Sequence, residues 1–233
     1  GLNNYTLEGV GFGGELIGAA NYSINGNGIV EPAGRENLAI SEIHYHPNTP
    51  SKKEIDAGFA DSSMFEWIEL VNTSDSDTID LSNVHFVSGI NFSIPLGTLL
   101  VPGERLVIPS NFPAFVHRYG NLGNGTLLSH SFLDDLGNNK LSNAGERVLL
   151  YSADNVAIVD FSYKDDRPWP VSADGAGYSL TLMMPGTNDP SLAQSWRSSF
   201  DVGGTPGSAD FVPILSWLDE DGGGELLSDV DGD

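Results

Sequence analysis

Cysteine is absent from this 233-residue chain. That removes disulfides, thiolate zinc sites, iron–sulfur clusters and cysteine nucleophiles together. Positive charge is scarce too. Ten Lys and Arg stand against 32 Asp and Glu, giving a formal charge of −22 and a pI near 4.2. Such a surface repels phosphate backbones and anionic membranes, so nucleic acid is not expected as a partner. No apolar run reaches the length of a membrane span, and no signal peptide is visible. The chain opens at Gly1-Leu2 without Met, as expected of an excised fragment or processed product, so the missing signal says nothing about export. G-x-S-x-G, H-E-x-x-H and P-loop motifs are all missing, and the neighbours Ser129, His130 and Ser131 imply no geometry. The chain therefore reads as a non-enzyme.

What is present suits many short strands. Hydrophobic residues make up 39%, enough for a real core, and 28 Gly with 13 Pro supply turns. Strands are predicted over Leu38–His46, Glu66–Val71, Val84–Val87, Phe92–Ile94, Arg105–Ile108, Arg147–Tyr151, Val156–Phe161 and Gly177–Met183. Turn clusters such as NTSDSD, VPGE, SNAGE and SADGAG separate them. Eight short strands at this spacing argue an all-β antiparallel sandwich, with Ile43, Tyr45, Ile68, Leu70, Val148, Leu150 and Leu180 in its core. Only Asn111–Gly120 reads helical, with Asn111 as N-cap and Pro113 in the first turn. Thr49–Ser63 reads as a polar loop. Residues 1–36 form a Gly/Asn-rich lead-in with one or two strands and a hairpin-type INGNG turn, expected to be the end of an upstream β domain. The main domain covers 37–210. Residues 211–233 form an acidic tail.

Seven segments taken together resemble one family: LAISEIHYHP, FEWIELVNTS, IDLSNVHF, LLVPGERLVI, LSNAGERVLLY, DFSYKDDRPWPVSADGAGYSL and SWRSSFDVGGTPGS. Their order and spacing are similar to the lamin-tail domain in its bacterial branch, over roughly Asn37 to Ala209. The resemblance implies an immunoglobulin-like β-sandwich. It implies a non-catalytic interaction or spacer module in a larger secreted or cell-surface bacterial protein, beside other domains of the same parent. The rival is a carbohydrate- or surface-binding module accessory to a hydrolase, with Trp169 or Tyr163 as an aromatic platform for a polysaccharide. Otherwise the partner is an unnamed protein. The tail's LLSDVDGD resembles the start of a thrombospondin type 3-like or dockerin-like calcium loop. Asp229, Asp231 and Asp233 stand at the alternate spacing that hard cations use, and the pattern stops after its third Asp.

Within LAISEIHYHP, strand alternation places Glu42, His44 and His46 on one face. Neighbours on such a face lie about 6.5–7 Å apart, so three in a row rarely hold one zinc ion. The histidines are expected at the surface or facing loops. Glu42 and Glu69 lie in strands that could pair, where two facing carboxylates repel unless a cation, a proton or backbone donors relieve them. Calcium is the cation considered there, and no other cofactor is expected. Asp160, Asp165, Asp166 and Asp174 form a further acidic cluster, with Arg167 as its local counter-charge.

Overall fold

The computed structural model describes residues 2–10, 16–25, 30–122 and 125–210. At the N-terminus, β1 (Leu2–Val10) and β2 (Leu16–Asn25) pair antiparallel as a two-stranded sheet of their own. The strands that follow are β3 (Val30–Pro32), β4 (Leu38–His44), β5 (Trp67–Asn72), β6 (Thr78–Asp80), β7 (His85–Ser88), β8 (Phe92–Ser93) and β9 (Leu99–Leu100). After these come β10 (Arg105–Pro109), β11 (Thr126–Leu127), β12 (Glu146–Tyr151), β13 (Ala157–Tyr163), β14 (Leu180–Leu182) and β15 (Trp196–Ser198).

A six-stranded sheet, β11-β10-β5-β4-β14-β15, packs over a four-stranded sheet, β13-β12-β7-β8, with β3-β6-β9 as a small third sheet. Pairing is antiparallel except for β10–β11 and β3–β6. The main core lies between the two larger sheets. All seven core residues expected from alternation are buried in it: Ile43, Tyr45, Ile68, Leu70, Val148, Leu150 and Leu180. The described residues thus form an immunoglobulin-like sandwich.

The short strands β3, β6, β9, β11 and β15 escape sequence reading because two or three residues carry no periodicity. Thr49–Ser63 also departs from the expected loop. Within it α1 (Lys52–Asp56) starts on a capping box, where Ser51 Oγ accepts from Glu54 N and Glu54 Oε2 accepts from Ser51 N. A 3-10 turn, Ser62–Phe65, follows, capped by Asp61. The predicted helix is present as α2 (Phe112–Tyr119), with Asn111 Oδ1 accepting from Ala114 N at 3.0 Å. Ser131 Oγ takes the Phe112 N–H at the same end, so its hydroxyl serves helix capping.

Every residue of β4 and β5 is buried, although both strands alternate apolar and polar. One face of this strand pair meets the main core. The other holds a second apolar cluster of Trp67, Val107 and Phe115, joined by Tyr119, Leu122 and Leu127, with α2 packed over it. Burying an aromatic such as Phe115 there contributes about 1.5–3 kcal/mol. The C-terminal segment 199–210 crosses the same face. The polar side of β4 is therefore not a wet surface. It is a dry polar layer beneath a helix and a strap.

Candidate functional site

A β-bulge sets this layer. Ile40 pairs with Leu70 and Glu42 with Glu69, so Ser41 is the extra residue. The core side reads Leu38 and Ile40 before the bulge, then Ile43 and Tyr45 after it. Ser41 and Glu42 are thereby both turned toward Glu69. Ser41 Oγ donates to Glu69 Oε1 at 2.6 Å, and the Arg105 guanidinium from β10 closes on the same oxygen. Glu69 Oε2 accepts from Gly207 N at 2.6 Å. Glu42 Oε1 takes the Ser179 hydroxyl and Thr205 N, and Glu42 Oε2 takes Thr205 Oγ1 at 3.0 Å. The two carboxyls do face each other across β4–β5, as their register requires. Hydrogen donors and one guanidinium occupy their oxygens, which leaves little for a cation to coordinate. Burial, and then the Glu69 charge, push Glu42 up to about 8, so near neutral pH it carries a proton. Burial also raises Glu69, opposed by the Arg105 charge and by the bonds donated from Ser41, Arg105 and Gly207, which favour its charged form.

The backbone that caps this pair is built of glycine for steric reasons. Gly204 has φ +77°, and a Cβ there would lie 2.7 Å from Trp67 Cζ2 and 2.5 Å from Glu42 Oε1. Beyond it, Arg197 anchors the strap's end through Asp210 Oδ2 and the Asp210 carbonyl, both at 2.5 Å.

His44 is fully buried, contrary to the surface position expected for it, because α2 covers that end of the strand. Its ring lies 5.7 Å from that of Trp67, and neither nitrogen has a hydrogen-bond partner. Burial and the nearby Arg118 charge push it down to about 3, while the Tyr178 backbone pulls the other way without completing a bond. Arg118 itself joins α2 to α1, donating to Glu54 Oε1 at 2.6 Å and Oε2 at 3.1 Å, with its guanidinium 3.4 Å above the Phe65 ring. Bonding to Arg118 holds Glu54 down at about 2. His46, half-buried at the strand's end, meets Asp174 at 2.5 Å.

Trp169 and Tyr163 lie in the core rather than on a platform. Trp169 packs 6.0 Å from Trp196, and Tyr163 lies 4.7 Å from Tyr45. The Tyr163 hydroxyl donates to the Ser142 carbonyl at 2.7 Å, and no ring face is left for a sugar. Arg167 forms no ion pair among the described residues. Asp160 is instead held by Arg147 across β12–β13 at 2.7 and 2.8 Å, and Asp174 by His46. Asp229, Asp231 and Asp233 lie outside the described residues. Among the described residues no three His, Asp or Glu side chains are grouped to hold a metal ion.

Sequence reading also missed Glu66. This residue ends the 3-10 turn and is 2% exposed, with Oε2 accepting from Leu141 N at 2.8 Å. It floors a cavity of about 560 Å³ between that turn and the 138–144 loop, with Asp61 and Lys140 at the rim. Burial pushes Glu66 up to about 9. Its only sequence signal is a carboxyl beside the aromatic pair in FEWIEL, preceding a strand of otherwise regular alternation.

A bulged sandwich whose outer polar layer is sealed by its own helix and strap defines an immunoglobulin-like module. The family model described as Lamin Tail Domain matches residues 31–165, and the chain belongs to that family. No curated protein matches the chain, and no solved structure does.

Proposed function

We propose that the chain is a non-catalytic interaction or spacer module of a larger secreted or cell-surface bacterial protein, working beside other domains of the same parent. One observation carries this reading. The most strongly perturbed ionisable groups of the strand pair, Glu42, Glu69 and His44, are buried and turned toward the protein's own strap, hydroxyls and helix. Groups so enclosed belong to the interior of a scaffold and have no access to a substrate. The charge of −22 supports a protein or polysaccharide partner over nucleic acid. The aromatic-platform alternative loses support because Trp169 and Tyr163 are packed inside. In a longer parent, Asp229, Asp231 and Asp233 would open a calcium loop adjoining the module.

The test is deletion of residues 30–210 from the parent protein. An interaction or spacer role predicts that reactions of flanking domains persist in solution while surface retention or assembly is lost. Loss of a chemical step that the isolated 233-residue chain itself performs would overturn the reading.

A further inference from the structure

The cavity over Glu66 is lined by polar groups that the fold leaves free. Among the described residues, the only side-chain atoms both sealed from solvent and unpaired are the His44 ring nitrogens and the Tyr45 hydroxyl. Among the described residues Glu66 Oε1 has no hydrogen-bond partner either, yet it keeps contact with solvent, while the Ser63 hydroxyl lies beside the Asp61 carboxylate. Glu66 and Ser63 are 2% and 6% exposed and both line the cavity, so the free Glu66 oxygen opens into it. The Ser62 hydroxyl and the amides of Asn138 and Asn143 line the same space and make no side-chain hydrogen bond within the described residues.

The walls are held in place before any ligand arrives. On one side, Asp61 caps the turn through Ser63 N at 2.9 Å, and Ser110 Oγ ties down the Ser63 carbonyl at 2.6 Å. On the other, Asn139 bridges Asn91 in both directions at 2.8 Å, and Asp134 Oδ1 holds Asn138 N at 2.7 Å. With the backbone of both walls fixed, binding has to order only the short Ser and Asn side chains, which keeps its entropic cost low. The volume falls within the range of small-ligand clefts, about 300–1,000 Å³.

The lining restricts the ligand class. No aromatic side chain is present for a stacked base, and Leu141 and Ala144 give too little apolar wall for a hydrophobic anchor. Two carboxyls, one carrying a proton near neutral pH, with Lys140 beside them, are a poor set for a metal ion. Hydroxyls, amides and a carboxyl suit a ligand that both donates and accepts at several points around a ring. We propose that this cavity binds one sugar ring, held by hydrogen bonds to Glu66, Ser63, Ser62, Asn138 and Asn143. The site stands apart from the interaction-module reading and does not depend on which partner that module holds.

The test is an amide ¹H–¹⁵N titration of the whole chain with glucose, galactose and N-acetylglucosamine separately, each to about 100 mM, since hydrogen bonds alone imply roughly millimolar affinity. At least one sugar should give saturable shifts concentrated at Ser63, Leu141 and Asn143. Ser62→Ala and Asn143→Ala, on the solvent side of the wall, should each weaken it about fivefold, one neutral hydrogen bond apiece. Absence of saturable shifts with all three sugars would overturn the proposal, as would shifts unchanged in both variants. Calcium saturating the same amides while no sugar does would also overturn it, marking the cavity as a cation site.

Discussion

Glu42 and Glu69 occupy equivalent places on paired strands, yet replacing each by glutamine should move stability in opposite directions. Glu42 is held near a pKa of about 8, against 4.5 in an unfolded chain. The folded state therefore keeps a proton that the unfolded state releases once pH passes 4.5. Stability falls as pH rises from there to about 8 and then levels off. The slope is about 1.4 kcal/mol per pH unit. Acting from 4.5 to pH 7, it gives a ceiling of roughly 3.4 kcal/mol. Glu42→Gln removes this burden. Its amide oxygen can still accept from Ser179 and Thr205 N, and its NH₂ can donate to the Thr205 hydroxyl. We expect the variant to gain about 2–3 kcal/mol at pH 7, or roughly 5–10 °C in Tm for a unit of this size, and almost nothing at pH 4.5.

Glu69→Gln should do the reverse. It leaves the Arg105 guanidinium, whose side chain is 16% exposed, without its carboxylate. Breaking a buried pair from one side costs about 3–5 kcal/mol, and the partial exposure of Arg105 puts the loss here nearer 2–3 kcal/mol. Urea unfolding at pH 4.5, 6, 7 and 8 reads both variants. Equal signs at pH 7, or a Glu42→Gln gain that does not grow with pH, would refute the assignment of the proton to Glu42.

His44 gives the opposite slope. The unfolded histidine takes up a proton below pH 6.5 while the folded one resists until about 3, so stability falls as pH drops through that window. His44→Leu should therefore gain roughly 2 kcal/mol on the wild type between pH 7 and pH 5, seen as diverging urea midpoints. Gly204→Ala should cost about 2–4 kcal/mol and speed amide exchange at Thr205 and Gly207, since its Cβ meets Glu42 and the Trp67 ring; unchanged exchange would show that the strap is not seated by Glu42. Calcium titrated calorimetrically into the 233-residue chain should bind weakly at most, through carboxylates. A response abolished by His44→Ala/His46→Ala would contradict that.

Much of the sandwich was legible because its long strands alternate cleanly. Leu70 and Leu150 announce their faces at a period of two, and Asn111 with Pro113 announces the one long helix. The facing of Glu42 and Glu69 followed from the same reasoning. What covers them did not. Periodicity reports which side chains share a face and is silent on whether that face meets water, a helix or a returning strap. The strap, 163 residues from Glu42 at Thr205, and Ser179 beside β14, 137 residues away, are long-range partners that no local pattern encodes. Its signature is the glycine at 204, which reads as a loop until the Trp67 ring beneath it is known. The bulge at Ser41 was hidden for a related reason, since Ile40-Ser41-Glu42-Ile43 preserves plausible alternation in either phase until β5 fixes the register.

The buried glutamates share a physical logic that links these elements. Glu42 and Glu69 accept the N–H groups of Thr205 and Gly207, Glu66 accepts that of Leu141, and Glu54 receives Arg118. At Glu42, Glu69 and Glu66 a carboxyl on or beside the central strands satisfies backbone donors of a segment that has no strand partner of its own, whereas Glu54 ties helix α1 to helix α2. A loop buried without such partners would leave its donors unpaired, at a cost of about 1–3 kcal/mol each. An aliphatic replacement on these strands would keep the sheet and release the loop. This separates the two kinds of glutamate. At Glu42 and Glu69 both oxygens are occupied, by the strap together with Ser179, Ser41 and Arg105, and the face above them is closed. At Glu66 the loop takes one oxygen and leaves the other facing a cavity, so the same device that fixes Leu141 also presents a free acceptor to solvent. A ligand site can arise on this fold without any strand residue being devoted to it, wherever a loop-holding carboxyl is only half used.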